Sequence, residues 1–176
     1  HQFADAVRRV DFLPGEVPIH LIAMGSTEFF GPNRNGDGFK AACLRRYHPT
    51  FVKFARVYRD HENKDTEKSY GVVKLSAYNE RRQRVELLCA LNVTKEAAAR
   101  NKGLLADREL QKLANEPDNF GVSMACRVPF DVCSGCMNKA AHRGEYCTAK
   151  TCKYGGLAHN ITKVAADGHV LHADNP

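Results

Sequence analysis

Four cysteines fall between positions 133 and 152 of this 176-residue chain, spaced Cys133-x2-Cys136-x10-Cys147-x4-Cys152. A Cys-x-x-Cys turn presents two sulfurs on one side of a tight loop. A second pair can complete the tetrahedron of thiolates that zinc prefers. The surrounding stretch, SGCMNKAAHRGEYCTAKTCKYGG, has almost nothing from which to build a core, so a bound ion would supply the folding energy. Four thiolates leave no open coordination position, which makes the expected role structural; His142 and His159 are alternative ligands, foremost in place of Cys152. Free surface thiols or a pair of disulfides are the competing arrangements. The chain offers no HExxH helix of the kind that carries a catalytic zinc.

A second chemistry precedes the cysteines. Ser123 sits in the run FGVSMACRV, and a serine becomes a nucleophile only when a base lies within hydrogen-bond reach, usually with a third group fixing that base's tautomer. His61, which follows ARVYRD at the edge of a polar loop, is the best base available. These two residues alone are weak grounds for catalysis, because most serines in strands are structural.

The elements that would hold these groups read as follows. EVPIHLIAMGS (16–26) predicts a buried strand, and GPNRNGDGF a loop marked by glycine, proline and asparagine. FKAACLRRYHPTFVKFA has helical spacing as far as Pro49. YGVVKLSAYNERRQRVELLCALN predicts a hairpin over about 70–92, with NERR at its turn. TKEAAARNKGLLADRELQKLANEPD predicts a helix with Thr94 as N-cap, ending before Pro117 and divided at Gly103. FGVSMACRV alternates like a strand, with Val122 and Met124 pointing away from Ser123. HVLHADNP predicts a last short strand. The expected fold is α+β: an antiparallel sheet or small β-barrel with flanking helices, plus a cysteine-rich zinc-knuckle insertion. The expected divisions are a core at 1–130, the metal-binding insertion at 131–158, and a C-terminal strand returning to the core at 159–176.

Composition narrows the classes. With 43% hydrophobic residues the chain has enough apolar surface for one core and a small appendage. Its 26 basic and 20 acidic residues give a formal charge of +6, a weak bias toward acidic partners. No apolar run approaches the roughly 18 residues of a spanning helix, and no signal peptide opens the chain, so a soluble, non-secreted protein is expected. Seven cysteines, with Cys43, Cys89 and Cys126 single in largely apolar settings, fit a reducing compartment. The start at His1 and the end at HADNP suggest a trimmed or processed piece of something longer.

The order of the motifs carries a resemblance. RDHENKDTEKSYGVVKLSAYNERRQRVELLCALN, then a helical stretch, then FGVSMACRV, resembles the prohead (capsid maturation) serine proteases of tailed bacteriophages, which are similar in fold to the herpesvirus assemblins. PNRNGDGF is similar to the Asn-Gly-Asp loop of phage members, and the likeness covers about residues 16–130. It implies a serine endopeptidase that cleaves scaffold and major capsid proteins, and itself, inside the immature head in the host cytoplasm. Ser123 would be the nucleophile and His61 the general base, with no cofactor for catalysis. Glu86 matches the place of an acidic third member; the assemblins use a second histidine instead, for which His159 or His169 would serve. Glu86 as a solvated strand residue stays open. Arg127 is a candidate for the oxyanion site, as against a surface arginine, and Gly36 and Gly38 would let the upstream loop shape a cleft.

Two other functions compete with the protease. One is a catalytically silent virion or assembly protein that keeps the protease fold; self-association of the chain, by which the assemblins are activated, stays open. The other is a zinc-stabilised nucleic-acid-binding module, drawing on Lys139, Arg143, Lys150 and Lys153. Tyr146 and Tyr154 are the only aromatics near those basic residues, too few for the stacking platforms such modules use, so neither nucleic acid nor a membrane is expected as a partner.

Overall fold

The computed structural model describes residues 2–60, 62–119 and 121–176. In chain order the helices are α1 (Gln2–Val7), α2 (Thr27–Phe30), α3 (Ala41–Tyr47), α4 (Thr50–Phe54), α5 (Lys95–Arg100), α6 (Asp107–Asn115) and α7 (Leu157–Asn160). The strands are β1 (Glu16–Gly25), β2 (Asp37–Phe39), β3 (Arg56–Val57), β4 (Gly71–Asn79), β5 (Arg84–Asn92), β6 (Asp131–Cys133), β7 (Lys139–Ala140) and β8 (Ala173–Asn175). The chain is α+β and divides into two compact units: His1–Met24 with Tyr47–Ala125, and Gly25–Arg46 with Cys126–Pro176. No described helix is long and apolar enough to cross a membrane.

The first unit is built on a curled sheet in the order β1-β5-β4-β3. Its centre is the expected hairpin, in which β4 and β5 pair antiparallel from Gly71↔Leu91 to Asn79↔Arg84. A bulge between Val73 and Leu75 shifts the register, which turns the rest of β4 over by one residue. Strand β5 is buried on both faces; Val85, Leu87, Leu88, Cys89, Ala90 and Leu91 form most of the core. Thr94 caps α5 as expected, its Oγ1 accepting the Ala97 N–H at 3.2 Å. The helical stretch is divided where Lys102 takes a left-handed φ of 48° and the N–H groups of Lys102 and Gly103 close on the carbonyls of Ala99 and Ala98; Gly103 leaves room for the Ser69 carbonyl oxygen, which would stand 2.3 Å from a Cβ there. A buried anchor fixes the start of β1. The Glu16 carboxylate accepts from the Leu13 N–H (3.0 Å) and the Asn101 amide (3.0 Å), and pairs with Lys74 at 2.9 Å.

The second unit is assembled from two distant stretches of sequence. Strand β8 pairs parallel with β2 (Asp37↔Ala173 to Phe39↔Asn175) and antiparallel with β6, and β6 pairs with β7. The C-terminal strand therefore completes the sheet of the cysteine-rich unit instead of returning to the hairpin sheet. GPNRNGDGF belongs to the same unit. The expected division at 130 and 158 misses both, since backbone pairing between positions 37 and 173 leaves no local trace in the sequence.

The run FGVSMACRV does not form the expected strand: residues 121–128 have no ladder and are mostly exposed. Alternation and β-branching favour a strand only where a neighbouring strand offers both a pleated surface and backbone partners. Strand β3, at one edge of the first sheet, is only two residues long.

Candidate functional site

In the first unit, a cavity of about 460 Å³ lies against one face of the sheet. Residues of β1 and β5 that alternate onto this face, Ile19, Leu21, Leu87 and Cys89 among them, form part of its lining. The segment 121–125 forms another part, and Ser123 lines the cavity, itself exposed to solvent. Asp60 and Asn63 line it too. His61, between them in sequence, lies outside the described residues. Asp60 adopts a left-handed backbone conformation (φ 50°), which an aspartate tolerates better than most residues. Burial pushes the Cys89 thiol up to about 12, so this residue is an uncharged apolar group rather than a nucleophile.

Glu86 is not part of this lining. It alternates onto the other face of β5, where its carboxylate accepts from Arg84 Nε at 2.7 Å and the Asn79 amide at 3.1 Å. Its second oxygen faces His20 Nε2 at 3.4 Å. Burial would raise its pKa, but the Arg84 and Asn79 hydrogen bonds and the nearby His20 hold it below the ordinary carboxylate value. Besides Asp60, the carboxylate that lines the cavity with Ser123 is Glu109, on α6. Its Oε1 accepts from Arg59 Nε at 2.7 Å, while its Oε2 is buried without a partner among the described residues. No pattern in ADRELQKLAN singles Glu109 out, because an acidic residue in the first turn of a helix is ordinary.

The other expected site residues fall in the second unit. His169 bonds to Ser134 Oγ through Nε2 at 2.9 Å and stacks on Tyr154 at 4.7 Å, while His159 is exposed on α7. Arg127 is exposed, and the strand face it was expected to share with Ser123 does not form. Gly36 and Gly38 answer to packing rather than to a cleft. A Cβ on Gly36 (φ 79°) would lie 2.3 Å from Ile161 Cγ1, and one on Gly38 would lie 2.6 Å from Thr27 Oγ1. The Asn-Gly-Asp loop is a turn tied by Asn33, whose Oδ1 accepts the N–H groups of Asn35 and Asp37.

The same unit gathers the four cysteines. Their sulfurs all lie within 4.8 Å of one another, and Cys133 and Cys152 stand 4.0 Å apart. A disulfide would need about 2.05 Å. A thiolate tetrahedron with bonds near 2.3 Å has edges of about 3.8 Å, so the geometry suits a metal ion. Local structure aims the sulfurs. Strand β6 ends in a tight turn where the Met137 N–H meets the Cys133 carbonyl at 2.9 Å and Met137 takes φ 64°. The Leu157 N–H points at Cys147 Sγ from 3.2 Å. Burial would raise the Cys152 thiol, yet the backbone N–H groups of Tyr154 and Gly156 and the neighbouring sulfurs of Cys136 and Cys133 bring it below its ordinary value. The cysteines could thus hold a metal ion without either histidine. His142 is exposed and pairs with Glu145 at 3.3 Å. Around the cluster pack Ala140, Tyr146, Leu157, Leu171 and Ala173, a core in which the sulfurs themselves are central. No protein-family model, curated protein or solved structure matches the chain.

Proposed function

We propose that the chain is a serine endopeptidase of the capsid maturation type, with Ser123 as nucleophile and His61 as general base. The observation that supports this is the shared cavity: Ser123 lines the same concave surface as Asp60, which precedes His61 in sequence, and Asn63, two residues after it. In this reading Ser123 Oγ attacks the scissile carbonyl while His61 takes its proton. The base then gives that proton to the departing amine, and water releases the acyl group by the reverse roles. An exposed serine on an unladdered segment can meet an extended peptide, whose scissile carbonyl would need N–H donors at the developing oxyanion. The substrates are scaffold and major capsid proteins, and the site of action is the immature head.

The cysteine cluster, in the same proposal, holds one structural zinc. Its four thiolates fill the coordination shell and leave no place for a reacting water. The metal's part is to fold the second unit, and no catalytic step passes through it. The basic residues near the cluster carry no nucleic-acid role in this proposal: Tyr146 is buried with its hydroxyl on Asp131, Tyr154 is stacked on His169, and the Phe130 ring is covered by the Lys139 ammonium at 5.0 Å.

The test is co-expression with a candidate scaffold or capsid protein, wild type beside Ser123→Ala and His61→Ala. Specific fragments are expected with wild type alone. Identical uncleaved bands from all three would end the protease reading in favour of a silent assembly protein.

A further inference from the structure

We propose that the cavity beside Ser123 is a side-chain pocket for the substrate, that it admits one large apolar residue, and that Ala23 and Ala55 set the size it accepts. This rests on the peptidase reading above and adds the substrate class to it.

Size and lining argue for this occupant. A volume of about 460 Å³ falls within the range of sites that enclose small ligands, which gives room for a large side chain together with the backbone that carries it. The lining is dominated by Ile19, Leu21, Phe51, Val73, Leu87 and Leu91. Charged groups among the lining residues are mostly engaged with other partners. Arg56 gives its donors to Ser69 Oγ and the Asn101 carbonyl, and Glu109 is neutralised by Arg59. Asp60 is exposed to water. A glutamate entering here would lose hydration with no free positive charge to replace it, and a lysine would meet only the water-exposed Asp60 and a Glu109 already paired with Arg59, whereas a leucine, methionine or phenylalanine would only shed water from apolar surface.

Ala23 on β1 and Ala55 after α4 are short side chains in a lining of larger ones. Both are half-buried, so a longer side chain at either position can extend into the cavity without displacing the core. The Cys89 position, by contrast, is fully buried within the sheet's core and is a poor place to probe pocket size.

The experiment is digestion of a diverse peptide library with the full chain, using Ser123→Ala as the blank, followed by sequencing of the cut sites. The expected result is Ser123-dependent cleavage with leucine, methionine, phenylalanine or tyrosine at one fixed position. These should be enriched about tenfold over alanine, the scale on which a hydrophobic pocket discriminates. Ala23→Leu should shift that preference toward alanine and valine by a similar factor at the same position. Ala55→Leu provides the second variant if the first does not fold, with folding checked by circular dichroism. Ser123-dependent cleavage with no apolar preference, or a preference unmoved in a folded variant, overturns the pocket and leaves the peptidase reading standing. Cleavage equal to the Ser123→Ala blank overturns the peptidase reading, and the pocket with it.

Discussion

Glu86 shows what a single residue's surroundings decide. Its side chain is 6% exposed and is held by Arg84, Asn79 and His20, on the sheet face away from the cavity that Ser123 lines. Glu86→Gln is therefore expected to act on stability. Removing the carboxylate leaves Arg84 without its charged acceptor, at a cost of about 1–3 kcal/mol near pH 7 by urea unfolding. The pH dependence follows from the depressed pKa: the wild-type advantage is fully present above the unfolded value of 4.5 and is lost as pH falls through the lower folded value. Ser123-dependent cleavage should stay within about threefold of wild type, against the roughly 10⁴-fold loss that follows when a triad carboxylate is replaced by its amide. A loss of that size would return Glu86 to the catalytic centre. The sequence could not settle this point. RVELLCALN is apolar at both odd and even positions, so its alternation does not say which face carries a site, and Glu86 and Leu87 look equally inward.

At the scale of elements, the legible features were those set by local backbone chemistry. The hairpin at 71–92, the Thr94 cap and the break at Gly103 all follow from turn residues, a hydroxyl acceptor and a missing Cβ within a few positions of each other. The run containing Ser123 has good local strand propensity, and what it lacks is an edge to pair with. Two substitutions separate these effects. Thr94→Ala removes the acceptor for the Ala97 N–H and should cost about 1 kcal/mol, the usual value of an N-cap. Gly103→Ala should cost about 1–3 kcal/mol, because the new methyl group meets the backbone oxygen of Ser69, which already accepts the Leu104 N–H at 2.7 Å. Gly103→Ala equal to wild type in urea would mean that the loop from Lys102 to Leu104 yields easily and that the close approach of Ser69 does not require glycine.

At the scale of the whole molecule, each of the two units has its own source of stability. The first buries aliphatic side chains across a hairpin; the second buries Cys133, Cys147 and Cys152 at the centre of its small core. The spacing of the cysteines announced the second source, while the membership of residues 25–46 in that unit stayed hidden because it depends on the parallel pairing of β2 with β8. Removing the metal should therefore act unequally. Pure protein is expected to carry about one zinc per chain, and a chelator should unfold the second unit, because the ligands are also its core and thiolates without an ion repel one another. Hydrogen exchange reads the result by region. Amides of 131–175 should lose protection after chelation, including those of residues 37–39 through their pairing with β8, while amides of 84–92 keep theirs. Equal loss across both regions would show that the chain unfolds as one cooperative body. Unchanged exchange at 131–140 with zinc gone would show that the cysteine cluster holds its shape by packing alone.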